Sequence, residues 1–266
     1  EERPDIDGIY MRVCQMMTGA GGWPLTVIMT PDRRPFFTAT YIPKEGRWGR
    51  TGLVELIPKL GRLWRTERER IEEAAARAVS LLQPTGSERG ETPGAETLAD
   101  AFAELRGRFD EEFGGFGAAP KFPMPHQLLF LLRYGERTGE AEAIRIAEKS
   151  LRAMRRGGIF DQLGYGFHRY STDRQWLVPH FEKMLYDQAL CVLACTEAFH
   201  AGGDAEHAQT AREILEYVMR DLRAPEGGFY AAEDADSEGE EGRFYLWETG
   251  EIRRLLGPEE ARFAAE

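Results

Sequence analysis

A chain of 266 residues, 42% hydrophobic and 30% charged, has an ordinary globular composition, large enough for one sizeable or two modest domains. Its formal net charge of −11 argues against a nucleic-acid partner, which needs clustered Lys and Arg, and no apolar run reaches membrane-spanning length. Three cysteines (Cys14, Cys191 and Cys195) are too few for a disulfide scaffold and fit a reducing, cytoplasmic setting.

In chain order, the segment from Ile6 to Cys14 reads as the end of a helix. Next comes "GAGGWPLTVIMTPDRRPFF", in which a glycine run meets Trp23-Pro24. Leu25 to Met29 and Phe36 to Tyr41 then read as two β runs across a Pro31-Asp32 turn, which predicts a hairpin. A proline just before such a strand is either a cis-proline beside a thioredoxin-like active site or a trans proline that starts the strand. No Cys-x-x-Cys accompanies it. From Gly52 a long helical region is expected, with Leu53, Leu56, Ile57, Leu60, Leu63, Trp64, Ile71, Ala75, Ala78 and Leu82 at helical spacing. The interleaved Arg and Glu of residues 62–70 read as a solvated, ion-paired face.

"QPTGSERGETPGAE", residues 83–96, is rich in Pro, Gly and Ser and reads as a linker. The expected organisation is therefore a first part over 1–82, the linker at 83–96, and a second part over 97–266. In the second part, helices are expected near 97–109, 126–138, 140–155, 182–200 and 205–222. Glycine-aromatic stretches punctuate them: "FGGFGAAPKFP", "GGIFDQLGYGFHRY" and "GGFYAAEDADSEGEEGRFYLW". Glycines let the backbone reverse after each helix and the aromatics plug the layer. Helical hairpins joined in this way favour a toroid of paired helices whose loops gather around one mouth.

Several side chains would sit at that mouth. "WLVPHFEKMLYDQ" predicts a helix with Pro179 in its first turn. On it, His180, Lys183 and Asp187 share one face, and Glu182 and Tyr186 another. This grouping suits general acid–base chemistry, or is simply a capped helix with a surface ion pair. The preceding "GFHRYSTDRQW" reads as a β-hairpin bringing His168, Arg169 and Asp173 to the same place. Asp161 and Trp176 flank it as further binding candidates. The stretch from Glu233 to Glu241 holds six acids in nine residues. It departs from a calcium loop because Tyr245 stands where the bidentate Glu belongs. It is either a solvated turn or a turn with Glu233, Asp234 and Asp236 pointing into the mouth, where aromatics such as Tyr230 would suit a sugar-like polyol. Lys121 either faces the mouth or is a solvated lysine. Cys191 and Cys195, four apart on a helix, read as small buried hydrophobes rather than a redox pair.

The motifs "EERPDIDGIYM", "GGWPLTVIMTPDRRPFF", "APKFPMP", "VPHFEKMLYDQA" and "FYAAEDADSEG" resemble the spermatogenesis-associated protein 20 family, in colinear order through essentially the whole chain. The resemblance implies a mostly α fold with a small α/β part. It would comprise the C-terminal half of a thioredoxin-like domain followed by an incomplete (α/α)6 six-hairpin toroid, similar to the toroid of N-acylglucosamine epimerases and several glycoside hydrolases. In that family the Cys-x-x-Cys lies upstream of "EERPDID", so this chain is expected to be an internal fragment, with a targeting signal upstream left open. The implied functions are action on a sugar-like substrate by an acid–base site or, alternatively, thiol-disulfide chemistry with the toroid as a binding domain. On the first reading the catalytic candidates are His180, Glu182, Asp187, Glu233 and Asp234. The binding candidates are Lys121, Asp161, His168, Arg169, Trp176, Lys183, Tyr186, Tyr230 and Asp236. On the second, Pro24 is the cis-proline. No metal or cofactor is expected; the partner is a small sugar-like molecule or a thiol-disulfide protein.

Overall fold

The computed structural model describes residues 3–47, 49–82 and 94–265. The chain divides into two compact units, Glu1–Glu91 and Thr92–Glu266. Most of the expected linker, 83–93, lies outside the described residues; its last residues enter the next helix at Gly94.

In the first unit, α1 (Pro4–Thr18) begins on a proline and ends at Gly19, whose φ of 78° supplies the left-handed cap. Strands β1 (Thr26–Met29) and β2 (Pro35–Ala39) pair antiparallel, Thr26 opposite Ala39 and Ile28 opposite Phe37, with a register irregularity at Ile28/Met29. The turn between them is held by Thr30, whose hydroxyl donates to Asp32 at 2.6 Å. The Trp23–Pro24 bond leading into β1 is cis.

The long helical region expected from Gly52 consists of two helices, α2 (Leu53–Thr66) and α3 (Arg68–Leu82), separated at Glu67. The break turns the apolar stripe of α3, Ile71, Ala75 and Ala78, onto α1 and β2. Leu56 of α2 meanwhile stays buried. A continuous helix could not direct both stripes into so small a core.

The second unit is an array of helical hairpins: α4 (Ala95–Arg108), α5 (Pro125–Thr138), α6 (Ala141–Arg156), α7 (Leu185–Gly202) and α8 (Ala205–Tyr217). Helix α8 runs on into a widened π turn at Val218–Leu222. The principal packing is α5 on α6 and α7, and α7 on α8. Leu128, Leu131, Ile146, Met154, Phe160, Phe167, Cys191, Cys195 and Ile214 form the centre of its core. Short strands lie in the joining loops. Strand β3 (Tyr170–Ser171) pairs with β4 (Pro179–His180), and β5 (Lys183–Met184) with β6 (Ala232–Glu233). Strand β7 (Asp236–Ser237) pairs with β8 (Glu240–Glu241). Helices α9 (Thr249–Leu255) and α10 (Pro258–Ala265) follow. The chain is mostly α with a small α/β part.

The glycine-aromatic stretches are one turn used repeatedly. Phe109 bridges Phe116, Phe160 bridges Phe167, and Arg223 bridges Phe229. In the first two copies an aspartate follows the leading Phe and its Oδ1 accepts backbone N–H groups two and three residues on: Asp110 from Glu112 and Phe113, Asp161 from Leu163 and Gly164. Each aspartate then ion-pairs a lysine supplied from farther along the chain, Lys121 at 2.8 Å and Lys183 at 2.9 Å. The third copy has Ala224 at that position, so it closes by backbone bonds alone.

Candidate functional site

The two lysine–aspartate staples differ in where they face. Lys121 is fully buried; its ammonium also donates to the Arg174 carbonyl at 3.1 Å and lies 5.0 Å from the Trp176 ring centre. Asp110 takes two further bonds from the Arg174 guanidinium, at 2.7 and 2.8 Å. Burial alone would raise the Asp110 carboxyl, but Arg174 and Lys121 hold it well below the ordinary range. Lys121 is thus neither solvated nor at a mouth: its backbone pairs with Ser171, which draws the side chain inward onto Asp110. Trp176 is likewise buried, its indole N–H donating to the Phe113 carbonyl at 2.9 Å. Both residues are packing elements of this staple.

Lys183 and Asp161 instead line a cavity of about 600 Å³. Tyr217, Arg220, Asp221, Tyr230, Glu233, Phe244 and Tyr245 share its wall. The Lys183 ammonium donates to Asp161 and to the Tyr165 carbonyl at 2.8 Å, and lies 4.4 and 4.9 Å from the Tyr217 and Tyr245 ring centres. Burial pulls the ammonium below the ordinary lysine value while Asp161 opposes the shift. Burial would raise Asp161, but Lys183 and the two backbone N–H donors bring it below the usual carboxylate range.

Opposite Lys183 in the β5–β6 ladder is Glu233. Its two oxygens are each held by a phenol: Oε2 accepts from Tyr217 at 2.7 Å and Oε1 from Tyr245 at 2.6 Å. Burial and the Glu233 carboxylate push both phenols well above their ordinary values, so they remain protonated donors. The carboxylate is fixed in orientation by two donors on separate elements. Tyr230 and Phe244, half or more exposed, form an aromatic rim.

His168 is buried behind this wall, edge-on to Tyr245, with Nδ1 3.0 Å from the Phe181 carbonyl oxygen. Burial, with Lys183 adding, lowers it to about 4, so it is neutral at pH 7.

The helix expected to start at Pro179 starts only at Leu185. Pro179 and His180 pair with β3, and Lys183 and Met184 pair with β6, so backbone donors and acceptors needed for a helical first turn are committed to ladders. His180, Lys183 and Asp187 therefore do not share a helix face. His180 stacks on Tyr170 with ring centres 5.0 Å apart, and its Nδ1 lies 2.6 Å from Glu241 and its Nε2 3.8 Å from Glu182. Glu182 in turn accepts from Arg169 at 2.5 Å. Asp187 and Tyr186 lie in the first turn of α7, Tyr186 exposed. Asp234 and Asp236 are exposed, Asp234 accepting the Asp236 N–H at 3.0 Å. The acidic stretch thus sends Glu233 into the cavity while its next members face water. The hairpin expected within 166–176 is also different: β3 pairs with β4, beyond a turn ordered by Asp173, which accepts from Gln175, Leu177 and Val178.

The structure thus brings Asp161, Lys183, Tyr230 and Glu233 together, with His168 behind them, and adds Tyr217, Arg220, Asp221, Phe244 and Tyr245. Tyr217 lies at the end of an amphipathic helix among ordinary core positions, where the sequence offered no signal for it. Tyr245 drew notice only as the residue standing where a calcium loop carries its bidentate Glu and as an aromatic flanking the acidic turn.

The family model Thioredox_DsbH, described as "Protein of unknown function, DUF255", matches residues 1–83. Spermatogenesis-associated protein 20 of Homo sapiens is 42% identical over 281 residues, covering 100% of this chain and 36% of that protein. An uncharacterized protein of Caenorhabditis elegans is 38% identical over 271 residues, covering 97% of this chain and 37% of that protein. The chain therefore spans a little over a third of the length of these relatives. Among solved structures, cellobiose 2-epimerase from Bacillus thermoamylovorans aligns with a TM-score of 0.47 and 15% identity, over 57% of this chain and 44% of that chain. That partial likeness of backbone fixes no activity. No helix among the described residues is long and apolar enough to cross a membrane. With the thioredoxin-like match at its start and 42% identity to the human protein running its full length, the chain is similar throughout to the spermatogenesis-associated protein 20-like family.

Proposed function

We propose that the second unit binds a small sugar-like polyol in the cavity between β5–β6 and the end of α8, with Glu233 positioned to exchange a proton with it. The supporting observation is the double phenol clamp on Glu233 inside a cavity rimmed by Tyr230 and Phe244. Fixed carboxylates hydrogen-bond vicinal hydroxyls, and flat aromatic faces cover the apolar side of a pyranose ring. A general acid or base must also be held at hydrogen-bond reach of its proton, and two phenols that fix the Glu233 carboxylate in one orientation on the cavity wall support that role.

The test is titration calorimetry of the 266-residue chain against a panel of mono- and disaccharides, with solvent deuterium exchange into the bound sugar followed by NMR. Binding that weakens by about tenfold in Tyr245→Phe, the loss of one charge-assisted hydrogen bond, is the expected result. A panel with neither heat nor exchange would refute the reading.

A second reading rests on the thioredoxin-like match over 1–83: the whole protein performs thiol-disulfide exchange, with Pro24 beside a dithiol and the helical unit as a docking domain. Reductase activity of a full-length relative, abolished by replacing its dithiol and untouched by Glu233→Gln, would favour that reading over the first.

A further inference from the structure

The wall of the Glu233 cavity is not electrically balanced. It carries three carboxylates, Asp161, Asp221 and Glu233, against two cations, Lys183 and Arg220. The cations are already neutralised. Lys183 pairs with Asp161 at 2.9 Å, and Arg220 holds Asp221 at 2.6 Å while its guanidinium also donates to the Gly164 carbonyl at 2.6 Å. Among the described residues Glu233 has no cationic partner within ion-pair distance; its two bonds come from neutral phenols. His168, neutral at pH 7, adds no compensating charge.

The cavity wall therefore carries one carboxylate more than it has cations, and Lys183, already paired with Asp161, also attracts Glu233 across the ladder. Tyr217 and Tyr245 already show what these rings accept, since an ammonium, that of Lys183, lies over both. Tyr230 and Phe244 remain at the rim, 52% and 73% exposed.

We propose that the ligand of this site carries a positive charge, and that its substrate class is the amino sugar: a protonated amine meets Glu233 and the Tyr230–Phe244 rim while ring hydroxyls bond the remaining polar wall. This assignment rests on the polyol reading above and narrows it. A neutral sugar would leave Glu233, on losing its water, only the Lys183 ammonium that Asp161 already pairs, whereas a ligand ammonium supplies a counter-ion of its own where water is partly excluded.

The experiment compares glucosamine, glucose, N-acetylglucosamine and choline by titration calorimetry on the 266-residue chain, at about pH 6.5, where a sugar amine is mostly protonated. Glucosamine is expected to bind at least about tenfold more tightly than glucose or N-acetylglucosamine, ~1.4 kcal/mol. Glu233→Gln should shrink that preference to less than about threefold, and added salt should erode it in the unmodified chain. The ligand comparison needs no variant, so misfolding of Glu233→Gln would not shield the proposal. Equal affinity for all three sugars would overturn the cation assignment and leave the polyol reading standing. Choline binding as tightly as glucosamine, with neutral sugars silent, would support the cation site and overturn the polyol reading. Silence from all four ligands would overturn both.

Discussion

Replacing Asp110 by Asn tests the staple on which the cavity's own lysine pair is patterned. The Lys121 and Asp110 side chains are 0% and 4% exposed. The carboxylate accepts from Lys121, twice from Arg174, and from the Glu112 and Phe113 N–H groups. An amide keeps the two backbone bonds but removes the charge. Arg174, about half exposed, can turn to solvent. Lys121 cannot, and would retain only the Arg174 carbonyl and the Trp176 face. Leaving a buried charge uncompensated costs about 3–5 kcal/mol. For a unit of this size that lowers the melting midpoint by roughly 8–15 °C, read by far-UV circular dichroism. Asp161→Asn removes the equivalent carboxylate from a pair that borders the cavity, where Asp161 is 13% exposed and water can reach it. Its cost should be smaller, about 1–3 kcal/mol. Adding Lys121→Met to Asp110→Asn should recover more than about 1 kcal/mol, because the stranded ammonium is gone. An Asp110→Asn cost below about 1 kcal/mol, or no recovery in the double variant, would show that the staple does not hold the turn.

His168 titrates at about 4 when folded against 6.5 when unfolded, so the unfolded chain binds the extra proton between these values and stability falls as pH drops through that window, by about 3 kcal/mol for this residue. His168→Gln should flatten that part of the profile, measured by urea unfolding at several pH values; an unchanged slope would refute the burial argument. Cys191 and Cys195 are fully buried and burial pushes Cys195 up to about 12, so neither thiol should take iodoacetamide until the unit unfolds, checked by intact mass. Gly166 has a φ of +84° and an added Cβ would lie 2.7 Å from the Tyr217 ring, so Gly166→Ala should cost more than about 2 kcal/mol and weaken sugar binding by displacing the Glu233 clamp. A stable Gly166→Ala protein with unaltered binding would disconnect Tyr217 from the site.

Local sequence determined what local forces decide. The hairpin around Pro31-Asp32, helices α4 to α8 within a few residues, and the recurring glycine-aromatic turn were legible because each follows from short-range periodicity or backbone freedom; α9 and α10 went unread. Where sequence reading failed, a distant partner had prevailed. A helix from Pro179 satisfies local preference, but pairing with Tyr170–Ser171 and with Ala232–Glu233 claims those backbone groups and delays it to Leu185. Lys121 reads as either a mouth-facing or a solvated lysine, and only the long-range pairing with Ser171 turns it onto Asp110.

The site follows the same rule. Asp161, Lys183, Tyr230 and Glu233 could be suspected singly from composition, since titratable groups beside aromatics in helix-joining loops attract notice. That Glu233, rather than its acidic neighbours, turns inward is decided by the β5–β6 ladder. That Tyr217 and Tyr245 clamp it is decided by packing between elements 28 residues apart in the chain. Periodicity encodes which face of an element is apolar; which two faces meet, and hence which carboxylate is held by phenols rather than by a cation, depends on contacts that exist only once the helices have packed.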